Sequence, residues 1–395
     1  MRTLTFSTLY PNAAQPQHGI FVETRLRKLL ETGEVESRVV APAPWFPSWA
    51  STLSPRYAHY AAIPDRETRM GIDIVHPRFL VIPKVGMALS PFTLAMSAMR
   101  AIRAVQRAGY DFDLIDAHYF YPDGVAAAIV AQRLGKPLVI TARGSDINEI
   151  ANFNLPRRLI LWAADEAAGI VTVCQALKDE LLQIAGSHRP IPESKVHVLR
   201  NGVDLERFHP IDPASARQRL GVRGPAIISV GHLIPRKGHD LIIRALSELP
   251  GLDLFIVGRG PEEDALRRLA QGLGLADRVR FCGAVAQEDL HVYYSATDIL
   301  VLASDREGWP NVLLEAMACG TPVAATNVWG SPEVVRTAEA GRLIPQRTPA
   351  AIADTVRQLR AALPARAATR RYAEGFNWDS TSRGQISLFS AILGR

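Results

Sequence analysis

The segment Ser304-Asp305-Arg306-Glu307-Gly308-Trp309-Pro310-Asn311-Val312-Leu313-Leu314-Glu315-Ala316-Met317-Ala318-Cys319-Gly320-Thr321-Pro322-Val323 holds one complete strand-to-helix-to-strand transition. An apolar run, Asp298–Leu302, ends just before it. Pro310 stands where the first helical residue tolerates a missing N–H. Gly320 stops the helix, and Pro322 opens the next strand. Glu315 lies inside Leu-Leu-Glu-Ala-Met-Ala, where burying a carboxylate is costly unless something hydrogen-bonds it. Ligand hydroxyls are one candidate for that role. Asn311, one turn earlier, points along nearly the same face. Glu307 precedes the helix N-terminus, whose free N–H groups favour an anion such as a phosphate.

The same alternation runs outward in both directions. Upstream, strand-like runs are Leu4–Thr8, Ser37–Ala41, Leu114–Ala117, Leu138–Thr141, Gly169–Cys174 and Val196–Leu199. A second series is Ala226–Val230, Leu252–Val257, Val279–Phe281, Asp298–Leu302 and Pro322–Ala325. Helical patterns separate them, for instance Phe21–Leu30, where Phe21, Val22, Arg25, Leu26, Leu29 and Leu30 share a face. Short apolar strands alternating with helices imply an α/β chain with parallel sheets. A break over Asn201–Arg223 divides the two series, and 395 residues suit two or three domains. The expectation is two doubly wound, Rossmann-like domains facing each other across a cleft, with ligands outside the carboxyl ends of the strands. The first spans 1–205 and is completed by a C-terminal helix over 377–395; the second spans 206–376.

Ala43–Pro91 has no clear period beyond Ile72–Val75 and Phe79–Ile82. Its Trp45, Phe46 and Trp49 read either as a loop that grips an acceptor or touches lipid, or as a loop packed on its own domain. Behind it, Leu94–Arg107 is an amphipathic helix with Arg100, Arg103 and Arg107 on one face, for which a solvated charged stripe is the common meaning.

Composition, at 48% hydrophobic and 21% charged, excludes a disordered or fibrous chain. No apolar run reaches the ~18 residues of a membrane span. The N-terminal Met1–Ser7 is too short for a signal-peptide core and reads as a strand. Cysteines at 174, 282 and 319 fit neither a disulfide framework nor a CxxC metal site, so a reduced, cytoplasmic protein is expected. The net charge of +6 divides evenly about Leu205, which excludes a basic nucleic-acid arm. Only six of the 45 basic residues are lysines. The arginine excess reads as compositional bias, or as weak attraction to an anionic membrane.

A second phosphate-ready element is Ile227-Ile228-Ser229-Val230-Gly231-His232-Leu233-Ile234-Pro235-Arg236-Lys237-Gly238-His239, where a strand empties into a loop with adjacent Arg236 and Lys237. Charge-assisted contacts from both suit a diphosphate whose bond is breaking.

Together, Glu307-x7-Glu315, Arg236-Lys237-Gly238, Asn201-Gly202-Val203-Asp204 and Gly258-x-Gly260-Pro261-Glu262 resemble the retaining glycosyltransferases of the GT4 type. The resemblance is strongest over 200–335 and implies the two-domain GT-B fold, a nucleotide-sugar donor carrying UDP or GDP, and no cofactor. The first third resembles the branch that builds bacterial cell-surface polysaccharides, including teichuronic-acid-type enzymes. That match rests on His18-Gly19-Ile20-Phe21, Tyr121-Pro122-Asp123-Gly124 and Thr141-Ala142-Arg143-Gly144-Ser145-Asp146.

Carried over residue by residue, the resemblance gives Glu307 the donor-sugar hydroxyls. Glu315 takes the ribose hydroxyls, and Asn311, Val312 and His232 join it as donor-binding residues. Arg236 and Lys237 clamp the diphosphate, Gly19 lets backbone approach phosphate or acceptor, and Phe281–Val285, ending at Val285, lines the base pocket. Three departures follow. His232 stands where the family often has arginine, which passes that role to Arg236. Arg143 replaces the histidine of a Thr-x-His-Gly-like segment, and arginine is no base near neutral pH. Pro310 removes a backbone donor.

His118, at the end of another strand, reads as an active-site group or as a hydrogen-bonded structural histidine. Asp146 touches the acceptor or caps the following helix. Asp111-Phe112-Asp113 spells the metal-binding DxD of other glycosyltransferase folds, but it lies where a loop enters a strand, so it reads as a turn and the reaction as metal-independent. The expected activity is retaining transfer of a sugar to a hydroxyl of a saccharide or lipid-linked saccharide, with peripheral contact at the inner membrane face. A sugar-nucleotide epimerase or phosphorylase of the same fold, and a non-catalytic two-lobed sugar-binding protein, are the alternatives. An oxidoreductase is weaker, because no G-x-G-x-x-G follows the first strand.

Overall fold

A computed structural model describes residues 1–46, 59–81, 86–186 and 189–395; Trp49 lies outside them. The chain forms two compact units, Met1–Arg200 with Asp379–Arg395, and Asn201–Trp378.

The first unit is built on β1 (Arg2–Phe6), β2 (Glu36–Val40), β3 (Ala43–Trp45), β4 (Arg66–Arg69), β5 (Ile72–Val75), β6 (Arg78–Leu80), β7 (Leu114–His118), β8 (Leu138–Ala142), β9 (Gly169–Thr172) and β10 (Val196–Val198). Eight of these form one sheet in the order β10-β9-β8-β7-β1-β2-β5-β4, parallel except for the β4–β5 pair. β3 and β6 pair separately. The chain therefore leaves β1 in both directions, toward β2 and toward β7. That reversal opens a crevice at the carboxyl ends of the strands. The C-terminal helix Asp379–Leu393 closes this core: Leu388 and Phe389 pack with Leu29, Leu114, Val139 and Val171.

The second unit carries β11 (Ala226–Val230), β12 (Asp253–Val257), β13 (Val279–Gly283), β14 (Ile299–Leu302), β15 (Val323–Thr326) and β16 (Gly341–Ile344) in an all-parallel sheet, order β13-β12-β11-β14-β15-β16. Here the reversal falls between β11 and β14. Ile227, Leu254, Ile256, Ile299 and Val301 pack against Ile242, Ile243 and Leu246 of the helix His239–Leu246 and against Ile352 and Val356 of the helix Pro349–Ala361. Each such side chain contributes about 1.5–3 kcal/mol on burial.

Three strands escape a reading of periodicity. β4 is Arg-Glu-Thr-Arg at a sheet edge, half exposed, and so carries no apolar signal. β16 is short and also at an edge. β3 contains Pro44, which the two-stranded pair tolerates because a ladder edge needs no second donor. Trp45 is thus a strand residue and not part of a loop, whereas Phe46 follows it and meets Tyr60 at 5.8 Å. The segment between the domains, read as a break, contains a helix, Pro213–Leu220, whose Asp212 accepts a cap bond from Ser215 N at 2.8 Å.

The helix expected from Leu94 begins at Gly86 and runs to Arg107 through an internal Pro91. Proline withholds an N–H and leaves the carbonyl four residues earlier without its helical donor. That carbonyl belongs to Met87, and the Tyr121 hydroxyl donates to it. Among the described residues no helix is long and apolar enough to cross a membrane.

Candidate functional site

In the second unit, the loops after β11 and β14 meet. Gly231 leaves β11 at φ +153, and the turn Pro235–Lys237 presents Arg236 and Lys237. Gly238 follows at φ +67; a Cβ there would lie 2.3 Å from the Ala303 carbonyl oxygen, so only glycine lets the two loops touch. Asp305 N donates to Arg236 O at 3.0 Å, and Arg236 donates through Nη1 to Arg306 O at 3.1 Å. Arg347 crosses both loops, donating to Ala303 O at 2.8 Å and to Pro235 O at 3.1 Å.

On this frame Lys237 Nζ lies 2.5 Å from Glu307 Oε1, which also accepts from Ser304 Oγ at 2.6 Å. Burial pushes the Glu307 carboxyl up, but Lys237, Ser304 and Arg236 outweigh it and hold it below its ordinary range. Two loops from different strands thus deliver two cations and one carboxylate to one place. Such a cationic pair can make charge-assisted hydrogen bonds to an anion, and the carboxylate beside it can accept from hydroxyl groups.

Glu315 lies in the helix Asn311–Ala318, buried, and accepts from Tyr294 Oη at 2.9 Å. Burial raises its pKa to about 7, with Tyr294 and Arg207 opposing. Pro310 occupies the cap position and not the first helical one, with φ −80 and ψ 80. Asn311, half-buried, accepts from Asn201 Nδ2 at 3.3 Å. Val312 is half-buried in the same first turn, and Val285 is half-buried in the loop after β13. His232 exposes its ring and lends its carbonyl to His239 Nε2 at 3.3 Å.

The first unit gathers a buried polar chain at the end of β7. Arg143 Nη2 donates to His118 Nδ1 at 2.7 Å, and His118 Nε2 lies 3.4 Å from Asp116 Oδ2. Both ring nitrogens are therefore engaged within the protein. Burial, with Arg143 beside it, lowers the His118 pKa to about 4 against the pull of Asp116, so the ring is neutral. Asp116 Oδ2 also accepts from Gln385 Nε2 at 2.8 Å, and Gln385 Oε1 accepts from Arg25 Nε at 3.0 Å. Burial lowers the pKa of Arg143 to about 9 and that of Arg25 to about 10.

Asp146 is fully buried. Its carboxylate accepts from the N–H groups of Arg143, Gly144 and Phe120, so it braces the loop that carries Arg143. Tyr119, next to His118, takes φ +82, a strained conformation for a tyrosine, and its hydroxyl meets Ser145 Oγ at 2.7 Å. Gly19 takes φ +65, and the Cβ it lacks would meet Leu9 O at 2.3 Å; its freedom closes the loop after β1. That loop borders a cavity of about 230 Å³ lined by Tyr10, Asn12, His18, Tyr60, Phe79 and Ser90, among others.

The Asp-Phe-Asp segment leads into the amino end of β7. Asp113 accepts from Arg2 N at 2.9 Å and from Arg395, and Asp111 from Gln106 and Lys136. Sequence reading missed Ser304, Tyr294, Arg347, Asp116 and Gln385. Only Arg25 left a signal, an arginine on an otherwise apolar helix face.

Two family descriptions match the chain: Glycosyl transferases group 1 over residues 212–376, and Glycosyltransferase Family 4 over residues 65–207. A D-inositol 3-phosphate glycosyltransferase of Frankia alni is 36% identical, over 72% of this chain and 75% of that protein. One from Catenulispora acidiphila is 30% identical over 100% of this chain and 96% of its own length. Among solved structures, sucrose-phosphate synthase of Thermosynechococcus elongatus superposes with a TM-score of 0.80 at 22% identity, covering 100% and 99% of the two chains. Anabaena Alr3699/HepE in complex with UDP superposes at 0.72 and 21%, over 99% and 100%. With two strand-reversal crevices on parallel sheets and this degree of similarity, the chain belongs to the family 4 glycosyltransferases of GT-B fold.

Proposed function

We propose that the protein transfers a sugar, with retained anomeric configuration, from a nucleoside diphosphate sugar to a hydroxyl acceptor. The observation that carries this reading is the meeting of Arg236, Lys237 and Glu307 on adjoining loops, with Glu315 one helix further on. Arg236 and Lys237 hold the diphosphate, Glu307 binds sugar hydroxyls, and Glu315 binds the ribose. As the bond from the anomeric carbon to the β-phosphate oxygen breaks, the acceptor oxygen bonds to the same face. The acceptor proton passes to the phosphate, and both cations stabilise the departing charge. Two protein cations on the diphosphate support a reaction that proceeds in EDTA. UDP is the nucleotide to test first, given the HepE complexes with UDP and with UDP-glucose.

The relatives' name makes an inositol phosphate one acceptor class. The first-unit cavity favours the other, an uncharged saccharide hydroxyl, free or lipid-linked, as in cell-surface polysaccharide assembly. Its described lining residues include Tyr10, Tyr60 and Phe79 beside Asn12, Gln15 and Ser90, a mixture of aromatic, amide and hydroxyl groups that suits a saccharide. A cytoplasmic enzyme working at the inner membrane face fits that acceptor.

Calorimetric titration with UDP and GDP, each with EDTA, tests the donor site. Glu315→Ala is expected to weaken the preferred nucleotide by about 1–3 kcal/mol, the loss of ribose hydrogen bonds. Unchanged affinity refutes the assignment. Product analysis with D-inositol 3-phosphate against neutral oligosaccharides then separates the two acceptor classes.

A further inference from the structure

We propose that one face of the helix Gly86–Arg107 docks the enzyme on an anionic lipid bilayer. Its inward face is settled by burial: Leu94, Ala95, Ala98, Met99, Ile102 and Val105 pack into the first unit. Its outward face follows helical spacing through Leu89, Phe92, Met96, Arg100, Arg103 and Arg107, all exposed. That stripe changes character halfway along. Leu89, Phe92 and Met96 are 41%, 46% and 63% exposed, a continuous apolar ridge in water. The second half is three arginines in register with it, and the whole helix contains neither aspartate nor glutamate.

A soluble surface gains nothing from an apolar ridge continued by a cationic one. A bilayer interface rewards both halves. Apolar side chains enter the boundary of headgroups and acyl chains, and arginines rest on lipid phosphates. The stripe runs about 27 Å, at ~1.5 Å per residue, which places its two halves over separate lipid headgroups. Beside it, β6 packs on the helix and exposes Leu80, and its pairing partner in β3, Trp45, is exposed as well. Ser90, the fifth residue of the same helix, lines the 230 Å³ cavity considered for the acceptor. Docking by this helix therefore brings that cavity to the lipid surface, and the acceptor class it favours is a lipid-linked saccharide. The biological use of the stripe rests on the transferase reading; its binding to lipid does not.

Flotation of the full-length protein without nucleotide tests the stripe alone, on vesicles of phosphatidylcholine with and without phosphatidylglycerol, at low and high salt. Nucleotide titration without vesicles tests the transferase reading alone. The protein is expected to float with anionic vesicles and to be released by salt. Arg100→Gln with Arg103→Gln is expected to weaken that binding about tenfold. Phe92→Ser with Met96→Ser is expected to reduce it at least as far. All four positions are exposed, so thermal midpoints are expected to match the parent and separate lost docking from lost folding. Absence of flotation, or flotation unchanged in both variants, overturns the proposal. So does a self-association measured by sedimentation that Phe92→Ser with Met96→Ser dissolves, which assigns the stripe to a second copy of the chain.

Discussion

Lys237 Nζ lies 2.5 Å from Glu307 Oε1, joining the loop after β11 to the loop after β14 through a buried charge pair. The ammonium proposed to meet the diphosphate is thus stored on the carboxylate proposed to meet the sugar. Lys237→Ala leaves Glu307 buried with Ser304 as its remaining side-chain donor. A loss of about 3 kcal/mol in unfolding free energy is expected, of the size seen when one partner of a buried pair is removed. Lys237→Met with Glu307→Gln removes both charges and is expected to regain most of it. Denaturant titration of the three proteins decides; an unaltered midpoint in Lys237→Ala shows the pair to be dispensable.

Glu315 gives stability a definite sign with pH. Its ordinary carboxyl value is 4.5, and in the fold burial raises it to about 7. The folded state holds the proton more tightly, so this contribution is complete below pH 4.5 and is lost as pH rises through about 7. In Glu315→Gln that fall disappears. Thermal midpoints measured from pH 4.5 to 8 are expected to converge at the acid end and to favour the variant at the alkaline end.

His118 works in the opposite direction. Its ordinary value of 6.5 drops to about 4 when buried. Its contribution is therefore full above pH 6.5 and is lost as pH falls through about 4. His118→Asn, compared with the parent over that window, is expected to show a smaller acid loss. An identical slope would place the acid sensitivity on other groups.

Gly238→Ala must fit a Cβ 2.3 Å from the Ala303 oxygen at φ +67. Strain of about 1–3 kcal/mol from the dihedral alone is expected, plus displacement of the Arg236–Lys237 turn. The measurable result is a lower thermal midpoint together with weaker nucleotide binding. Loss of stability with full nucleotide affinity would separate the turn from the ligand.

Gln385 bridges Asp116 Oδ2 at 2.8 Å and Arg25 Nε at 3.0 Å from the C-terminal helix. Gln385→Leu removes the amide bond to Asp116, leaving that buried carboxylate to His118 Nε2 at 3.4 Å, and takes away the bond from the buried Arg25 Nε, a cost of about 1–3 kcal/mol. Denaturant titration is expected to show that loss, and Gln385→Glu is expected to recover the Arg25 side while repelling Asp116. Equal stability of Gln385→Leu and the parent contradicts the bridge.

Much of the architecture was legible because buried parallel strands are short apolar runs and helices keep their period. β4 and β16 were not, since edge strands need little apolar character. The cationic turn at Arg236 and Lys237 stood out because adjacent charges interrupt an apolar pattern between a strand and a helix. Tyr294 and Arg347 carried no such mark; their roles arise from carbonyls and carboxylates supplied by segments far along the chain.

The amino-acid sequence alone determined the alternation of strand and helix, the two series of strands and the charged loop ends, because these depend on local spacing and chemistry. Tertiary structure decided which groups face one another. It paired Lys237 with Glu307 across 70 residues. It placed both nitrogens of His118 on protein partners, and it spent the Asp146 carboxylate on backbone N–H groups. Those outcomes depend on burial and on distances between remote segments, and both quantities exist only once the sheets have formed.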